Sequence, residues 1–447
     1  MAATALPQSI LIVGGGVFGL STALALARRH SGKITLIESS PTIPNPHGSS
    51  VDASRIIRAD YANSAYARFA ATAIKQWQTT EWGHEGRYTR NGLVFVSSGG
   101  SEASEYVKRS YENVKALDKD GKAVKSLPTR KDVERVIPGY GIGNNIAGGY
   151  VNWDSGWGDA EASVRFAKKK VDETGRVEFK TGNVRRLLLT TGPHGKQKVA
   201  GVELSDSTTL TADLVILATG AWTGQLVDLR GHADATGQVV AFIQITDEEQ
   251  SKLADMPTIL NFSTGMFIIP PRNNLLKIAR HAYGYRNPIS IPDPSGNKRP
   301  IEASLPENGL PIPPEGEAAC RAALLEILPA FANRPFVKTR ICWYSDTPKG
   351  DFLVTHHPTY DSLFLATGGS GHAFKFLPVM GDKVVDALEG KLDPELKKPW
   401  SWQGSPRDVG EKGEIPVFWT EDGSRSGPKG LILKEELARK RSTHCKL

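Results

Sequence analysis

Cysteine is scarce in this chain of 447 residues, which contains only three. Three cysteines cannot form a disulfide framework, so we expect a protein of a reducing interior. Long apolar runs are also missing, because no stretch approaches the ~18 residues that a membrane helix needs. The first apolar run, near Ile10, leads into glycines and not into a cleavage site, which predicts no secretory signal. We therefore expect neither a disulfide-stabilised secreted domain nor a membrane protein.

Acidic residues are fewer than basic ones, and the net charge is +7. Residues 397–447 hold eleven Lys and Arg against seven Asp and Glu, a surplus of four. This region is rich in Gly, Ser and Pro, so residues 396–447 are expected to form a basic, solvated C-terminal extension. It carries no nucleic-acid-binding motif, and we expect no nucleic-acid partner.

The last three residues, Cys445, Lys446 and Leu447, resemble a peroxisomal address of the small-basic-Leu type. We therefore expect a peroxisomal location, with an import receptor as a partner. If the tripeptide is not recognised, we expect a cytoplasmic location.

The clearest local pattern is a βαβ unit of about 30 residues near the N-terminus. A buried strand ends at Val13, an Ala-rich helix follows, and a second apolar strand ends in Glu38. The turn between strand and helix carries Gly14, Gly16 and Gly19 at GxGxxG spacing. These glycines allow a tight turn, close approach of backbone amides to a pyrophosphate and close helix packing, while Glu38 would bind a ribose. The unit predicts a dinucleotide site.

Two further strands bear on which dinucleotide is bound. The second glycine fingerprint that NAD(P)H-using flavoenzymes often carry is absent. The segment LVILATGAW (214–222) recurs in FAD proteins, where a strand end and small residues pass close to the dinucleotide. A glycine turn at 368–371 follows another apolar strand. Together these features favour FAD.

The order of these signals predicts the fold class. Nucleotide-type strand and helix signals occur at the start, near residue 214 and near residue 363, and the regions between them alternate like antiparallel strands. We expect an α/β plus α+β protein, with a discontinuous Rossmann-like FAD-binding domain and an inserted antiparallel-sheet substrate domain. The expected limits are 1–85, 150–225 and 340–395 for the FAD-binding domain, 86–149 and 226–339 for the substrate domain, and 396–447 for the C-terminal extension.

Five ordered motifs, spread over residues 10–389, carry a resemblance to one family. They are GGGVFGLSTALAL (14–26), SRIIRADY (54–61), LLKIARH (275–281), RICWYSDTPKGDFLVTHHP (340–358) and GGSGHAFKFLP (368–378). The chain resembles the monomeric sarcosine oxidase family of FAD-dependent amine oxidases, in its fungal branch with pipecolate, saccharopine and fructosyl-amino-acid oxidases.

Cys342 lies in an apolar run that by itself reads as a buried strand with a core cysteine. The resemblance implies instead that its sulfur forms a thioether with the flavin, so that FAD is attached covalently. Cys320 lies on a predicted amphipathic helix at 315–331, and we expect it in the core. Cys445 belongs to the expected C-terminal extension.

The resemblance assigns roles to several basic residues. Lys277 is implied to lie by the flavin and to assist electron transfer to O₂, and Arg58 with Lys375 to grip a substrate carboxylate. The residues predicted to be catalytic are Lys277, Arg55, Arg58, Lys375, His281 and Tyr61. The residues predicted to bind the cofactor are Gly14, Gly16, Val17, Phe18, Gly19, Glu38, Ser54, Arg55, Ala218, Gly220, Trp222, Cys342, Gly369, Gly371, His372 and Lys375.

Two departures from the family pattern bear on the substrate. Val51 stands where sarcosine oxidases carry a histidine. Ala279 and Arg280 stand where fructosyl-amino-acid oxidases carry an acidic pair that would bind sugar hydroxyls or a substrate ammonium. The second departure argues against a dedicated deglycating enzyme.

The implied activity is oxidation of a secondary amino acid, N-alkyl or cyclic, such as sarcosine, L-pipecolate or L-saccharopine. Hydride transfer to the covalent flavin would give an imine, and O₂ would then give H₂O₂. The alternatives are a fructosyl-amino-acid (deglycating) oxidase, a dehydrogenase or biosynthetic amine oxidase of fungal secondary metabolism, and a non-catalytic FAD-binding protein. We expect a monomer that meets only its small-molecule substrate and O₂, with no metal.

Overall fold

The computed structural model describes residues 5–99, 102–192, 195–402 and 417–439. The strands are β1 (Ser9–Val13), β2 (Lys33–Glu38), β3 (Arg55–Ile57), β4 (Tyr88–Thr89), β5 (Leu93–Ser97), β6 (Val124–Leu127), β7 (Gly148–Asn152), β8 (Gly156–Gly158), β9 (Val177–Thr181), β10 (Val184–Thr191), β11 (Gln197–Leu204), β12 (Thr209–Thr211), β13 (Leu214–Leu217), β14 (Asp234–Gln244), β15 (Thr258–Asn261), β16 (Met266–Arg272), β17 (Leu275–Arg280), β18 (Pro288–Ile291), β19 (Ile301–Ser304), β20 (Lys338–Asp346), β21 (Leu353–His356) and β22 (Leu363–Thr367).

The α-helices are α1 (Val17–Arg29), α2 (Ser64–Thr79), α3 (Glu102–Leu117), α4 (Arg130–Val136), α5 (Ala160–Glu173), α6 (Asp247–Leu253), α7 (Pro314–Ile327), α8 (Met380–Leu388), α9 (Pro394–Lys397) and α10 (Leu433–Ala438). Short 3₁₀ helices cover Glu81–Gly83, Gly220–Gln225, Pro329–Phe331 and Phe374–Phe376. Within the described ranges, no helix is long and apolar enough to cross a bilayer.

A six-stranded sheet holds the strands that the sequence predicts for nucleotide binding. Its order is β21-β22-β13-β1-β2-β9, and every neighbouring pair is parallel except β21 with β22. The strands β1, β13 and β22 are almost continuously apolar because helices or other layers cover both faces of a parallel sheet. The carboxyl ends of β1 and β13 meet at one edge, where parallel α/β sheets bind ligands. The Rossmann-like part of the predicted fold is confirmed.

The helix α1 follows β1 directly and packs very closely against α8. A Cβ on Gly381 would lie 1.8 Å from the backbone oxygen of Ser21, so only glycine allows this approach. The hydroxyl of Ser21 donates to Leu377 O at 2.8 Å and accepts from Gly381 N at 2.6 Å. These contacts tie the fifth predicted motif to the first.

An eight-stranded mixed sheet forms the second layer, in the order β20-β14-β17-β16-β15-β5-β7-β6. All its neighbouring pairs are antiparallel except β15 with β5. The predicted antiparallel sheet is therefore present. It includes β7 and β20, whereas the expected limits at 150 and 340 put most of these two strands in the FAD-binding domain. Their hydrogen bonds go to β5, β6 and β14, which sets the boundary differently.

The described C-terminal residues pack onto the body of the protein, which differs from the predicted solvated extension. Trp400 and Leu433 are fully buried, and the indole of Trp400 donates to Tyr66 Oη at 2.9 Å. Thr420 Oγ1 donates to Thr347 O at 2.9 Å. Apolar side chains spaced among Gly, Ser and Pro bury enough area to hold the segment in place. Residues 403–416 and 440–447 lie outside the described residues, and so does Cys445.

Candidate active site

A cleft of about 480 Å³ opens where β1 and β13 end. Gly14 has a φ of +107°, and a Cβ there would lie 2.6 Å from Ala218 O. A Cβ on Gly19 would lie 1.8 Å from Gly14 O, and one on Gly16 would lie 2.9 Å from the hydroxyl of Ser50. At Gly14 and Gly19 the backbone therefore tolerates only glycine, whereas a Cβ on Gly16 would press on the Ser50 side chain at the edge of the cleft.

Glu38 lies at the end of β2 with its carboxylate in this cleft. One carboxylate oxygen accepts from the backbone N of Gly15 at 2.7 Å. The other accepts from Ser40 N at 3.1 Å and from Asn45 Nδ2 at 2.8 Å. These bonds fix an acceptor beside the glycine turn, at the position where a dinucleotide presents a ribose.

The other predicted residues of this region divide into two groups. Ala218, Gly220 and Trp222 line the cleft. Val17 and Phe18 are buried in α1, where the backbone N of Val17 donates to Ser50 Oγ at 3.1 Å. The first helical turn thus begins at the cleft while these two side chains support it from behind.

A second, inner cavity lies between the two large sheets and contains most of the predicted catalytic residues. The predicted residues that line it are Arg55, Arg58, His281, Cys342, Gly371, His372 and Lys375. Tyr61 lies one hydrogen bond behind the lining residue Lys375. Lys277 and Ser54 lie further back, where Lys277 is bound to Asp52 and Ser54 and these two bind Arg55. Gly369 does not line it and packs near Ala373 in the turn before the cavity.

Arg55 connects the outer cleft with the inner cavity. Its Nη2 donates to Ser49 O at 2.9 Å, on the side of the cleft, and lies 3.4 Å from Cys342 Sγ. Arg55 stands on the short strand β3, not on a helix. Cys342 lies in the middle of β20 with only 2% of its surface exposed. The Cys342 sulfur and the Arg55 guanidinium are therefore in contact where the outer cleft comes close to the inner cavity.

A buried carboxylate, Asp52, holds Lys277 and Arg55 together. Lys277 Nζ donates to Asp52 Oδ2 at 2.8 Å and to Ser54 O at 2.6 Å, and Arg55 Nη1 donates to the same carboxylate oxygen. Burial opposes the charge of Asp52, but Arg55 and Lys277 outweigh it and hold the pKa of that carboxyl well below its usual range. Burial lowers the pKa of Lys277 to about 8, against the opposing charge of Asp52.

Arg58 is a buried cation whose guanidinium is in direct contact with no carboxylate of the described residues. It makes no ion pair with any described residue, and its Nη1 is buried without a hydrogen-bond partner. The guanidinium lies 4.7 Å from the ring centre of Tyr61 and 5.1 Å from that of Phe95. The nearby carboxylate of Asp60 is occupied by Asn152 and Ser155. A buried guanidinium without an ion-pair partner at a cavity wall could hold an anionic group.

Lys375, Tyr61 and His372 form a hydrogen-bonded chain on the same side. Lys375 Nζ donates to Tyr61 Oη at 2.8 Å and to His372 O at 2.6 Å, and Tyr61 Oη lies 2.9 Å from His372 Nδ1. The other ring nitrogen of His372 lies 2.8 Å from Gly350 O. Burial, with Arg58 nearby, lowers the pKa of Lys375 well below its usual range. A carboxylate arriving beside Lys375 would favour its charged form.

His281 meets a residue that the sequence did not predict for the site, Arg425. Arg425 Nη1 lies 3.1 Å from His281 Nδ1, while Nη2 donates to Asp346 Oδ1 at 2.6 Å and to Ser370 O at 2.9 Å. The side chains of Arg425 and Asp346 are 1% and 3% exposed. The segment after residue 416 is therefore part of the site.

The two spaces fit FAD. The outer cleft has the glycine cradle, a helix N-terminus and the acceptor Glu38 that a dinucleotide needs, and a side chain on Gly14 or Gly19 would disrupt the turn. The inner cavity adds Arg55 and a thiol at its wall. The residues that would hold the group are Gly14, Gly16, Gly19, Glu38, Arg55 and Cys342.

Three residues that line or support the candidate site were not predicted from the sequence. Asp52 stands three residues before Arg55, a charge spacing that could have suggested their pairing. Arg425 lies in a segment assigned to solvent, although the neighbouring Phe418 and Trp419 are aromatic residues that rarely serve a solvated tail. Gln238, which lines the inner cavity from β14, belongs to no motif, and the sequence offers no signal for it.

Cys320 lies on α7, away from the inner cavity, and is fully buried. Burial raises the pKa of its thiol to about 12. The expectation of a core cysteine is confirmed.

Residues 9–387 match the family model described as FAD dependent oxidoreductase. The chain is 33% identical to the amino acid oxidase imqH of Aspergillus flavus, over 89% of this chain and 98% of that one. It is 30% identical to the L-saccharopine oxidase of Schizosaccharomyces pombe, over 89% of this chain and 93% of that one. The crystal structure of the fructosyl amine: oxygen oxidoreductase (Amadoriase I) of Aspergillus fumigatus matches with a TM-score of 0.80 and 26% identity, covering 98% of both chains.

Proposed function

The chain belongs to the FAD dependent oxidoreductase family and is an FAD-dependent, amine-oxidising enzyme, and on that premise we propose that it oxidises a secondary amino acid. The overall reaction converts the amino acid and O₂ into an imine and H₂O₂. Sarcosine, L-pipecolate and L-saccharopine represent the N-alkyl and cyclic substrates that we propose.

The observation that carries this proposal is the unpaired, buried guanidinium of Arg58 beside Lys375. A substrate carboxylate would accept two parallel hydrogen bonds from Arg58 and a third from Lys375. Both side chains line the same cavity as Cys342. A carboxylate held there would leave the amino acid's nitrogen and its neighbouring carbon inside the cavity, where orientation supplies much of the rate.

FAD, when bound, accepts the two electrons released by the amine and delivers them to O₂. We propose a thioether between Cys342 Sγ and the flavin, because Cys342 lines the cavity and its sulfur lies beside Arg55. The new C–S bond would replace the S–H bond and one C–H bond of the flavin, and the two electrons released would reduce the flavin and pass to O₂ as H₂O₂. Lys277, kept in place by Asp52 and Ser54, would provide a positive charge that favours the reduction of O₂ to superoxide.

The lining of the inner cavity suggests the class of the substrate's remaining part. Among the described residues, no Asp or Glu lines this cavity. Much of the wall is apolar, with Val240, Leu260, Phe267 and Phe374 contributing to it. A cationic group would find no countercharge on this wall, so sarcosine and L-pipecolate fit it better than L-saccharopine, which carries an ammonium group at its lysine end.

A deglycating oxidase is the second candidate, and the likeness to a fructosyl amine oxidoreductase favours it. Against it stands Arg280, whose guanidinium is bound bidentately by Glu315 at 2.7 and 2.9 Å. This carboxylate is engaged on helix α7, so it is not free to bind sugar hydroxyls or a substrate ammonium. We therefore rank secondary amino acids first.

The test is anaerobic bleaching of the flavin absorbance by sarcosine, L-pipecolate, L-saccharopine, an N-methylated aromatic amino acid and a fructosyl amino acid. We expect bleaching by a secondary amino acid and stoichiometric H₂O₂ after O₂ is admitted. Bleaching by the fructosyl compound alone would support the second candidate. Bleaching without H₂O₂ would indicate a dehydrogenase, and no bleaching at all would contradict both candidates.

The proposals of a monomer and of a peroxisomal location are separate from the chemistry. The proposed address, Cys445, Lys446 and Leu447, lies outside the described residues. A fluorescent protein ending in these three residues should enter peroxisomes, and one without Leu447 should stay in the cytosol.

Light scattering of the purified protein tests the proposed monomer, and it should give a mass near 48.4 kDa.

A further inference from the structure

We propose that Arg425 is a positioning residue, which fixes His281 as a neutral imidazole with its proton on Nε2. Arg425 Nη1 lies 3.1 Å from His281 Nδ1. A guanidinium has only donors and keeps its charge in proteins, so Nδ1 must be the acceptor of this bond. A ring nitrogen that accepts carries no proton, and the single proton of the neutral ring is therefore on Nε2.

Arg425 cannot turn away from this contact, because its other terminal nitrogen is fully engaged. Nη2 donates to Asp346 Oδ1 at 2.6 Å and to Ser370 O at 2.9 Å. Asp346 is held in turn by Thr236, whose hydroxyl donates to Oδ2 at 2.6 Å. The guanidinium thus joins the C-terminal segment, the glycine turn and the end of β20 around one histidine.

The surroundings of His281 also favour its neutral form. The charged and titratable groups that face it are Arg425, Arg58, His372 and Lys375. The ring centre of Tyr344 lies 5.8 Å from that of His281. Burial and these positive groups lower the pKa of His281 well below its usual range. The carboxylate of Asp346 is bound to Arg425 and Thr236, not to the histidine.

His281 lines the inner cavity. Its Nδ1 is bound to Arg425, and no hydrogen bond joins Nε2 to a described residue, so Nε2 is the ring nitrogen left for a ligand in that cavity. The ring therefore offers a donor to an oxygen atom of a bound substrate and no acceptor to a substrate ammonium group. This role for Nε2 rests on the proposed function. It narrows the proposed substrates to those that place an acceptor oxygen next to His281 Nε2.

The proton position can be measured in the oxidised holoenzyme without turnover. Long-range ¹H–¹⁵N spectra of protein labelled with ¹⁵N-histidine distinguish the two neutral tautomers from the imidazolium, and His281→Gln assigns the signal. We expect a neutral Nε2–H ring across pH about 6 to 8, the range in which histidine ordinarily titrates. A proton on Nδ1, or a charged ring at the lower pH, would overturn the proposal.

Two variants separate positioning from general packing. Arg425→Met removes the donor, and we expect the His281 signal to change to a mixture of tautomers. Asp346→Asn removes the charge but keeps an amide oxygen as acceptor for Nη2, and Ser370 O is unchanged, so Arg425 should stay in place and the Nε2–H signal should not change. An unchanged signal in Arg425→Met, or a change in Asp346→Asn alone, would contradict the proposal. If Arg425→Met does not fold, the wild-type spectrum still decides. Because no substrate is involved, failure here is distinguishable from failure of the proposed oxidation.

Discussion

Lys277 Nζ lies 2.8 Å from Asp52 Oδ2, and these two side chains are 2% and 1% exposed. Arg55 donates to the same carboxylate oxygen. One buried carboxylate therefore stabilises two cations at the wall of the proposed flavin site. Both cations depend on Asp52 for their countercharge, since burying an unpaired charge is strongly unfavourable.

Replacing Asp52 with Asn should therefore destabilise the protein. Removal of one partner from a buried pair costs about 3–5 kcal/mol, because the remaining charge stays buried. The measurement is urea unfolding of Asp52→Asn at neutral pH, followed by far-UV circular dichroism. Asp120→Asn is the control, since Asp120 is exposed and only 3.9 Å from an exposed Lys122. An equal, small effect of both substitutions would show that Asp52 is not the countercharge.

The pKa of Lys277, about 8, predicts a pH dependence of the reaction with O₂. The amine loses its charge as the pH rises through that value, so the rate constant should fall about tenfold per pH unit above it. Stopped-flow mixing of anaerobically reduced enzyme with O₂ measures this constant. Lys277→Met should slow the reaction by about 10²–10³-fold and abolish its pH dependence. Lys252→Met, on the surface, should do neither, and a flat wild-type profile would contradict the proposed role.

Cys342 is expected to carry the flavin covalently. After precipitation with acid, the wild-type protein should remain yellow, and a tryptic peptide containing Cys342 should carry the added mass of the cofactor. Cys342→Ala should release its flavin under the same conditions or fail to retain it during purification. Cys320→Ala, a deep-core change, should keep the flavin attached. Free flavin in the supernatant of the wild-type protein would exclude the thioether.

Arg58 is expected to hold the substrate carboxylate. Truncating one partner of a buried charge pair costs about 2–5 kcal/mol. Arg58→Met should thus lower kcat/KM at least about 30-fold, since each 1.36 kcal/mol is a factor of ten. Arg58→Lys should have a kcat/KM between those of the wild type and Arg58→Met, because lysine keeps the charge but cannot make the bidentate contact. Arg109→Met is the control on the neighbouring helix α3, where Arg109 is exposed. The experiment uses the substrate that bleaches the flavin fastest.

Local patterns predicted the parts of this protein that local forces determine. The apolar strand before Gly14 and the acidic end of β2 are short-range signals, and both lie where the sequence places them. Helix α5 begins at Ala160 because the side chain of Asp159, a local N-cap signal, accepts from the backbone N of Ala162. The convergence of Arg58, His281 and Lys375 on one cavity came from the family resemblance and not from spacing.

Contacts between residues that are far apart in the chain could not be predicted from the sequence. Asp52 and Lys277 are 225 residues apart in the chain, and no periodicity links them. The residues around Cys342 predicted a buried strand, and the structure has one, β20. The residues of β20 do not indicate that its neighbour in the sheet is β14. Arg425 was missed because a segment rich in Gly, Ser and Pro resembles a solvated chain until its contacts with the body are known.

Arg425 follows in the sequence the three residues that it contacts, which sets the order in which these contacts form during synthesis. Its partners, His281, Asp346 and Ser370, are all made earlier, and domains begin to fold from the N-terminus while the chain is still growing. A nascent chain can therefore form the dinucleotide cleft long before its catalytic cavity is complete. The proposed oxidase would then acquire its complete inner cavity only after the segment that carries Arg425 has been synthesised.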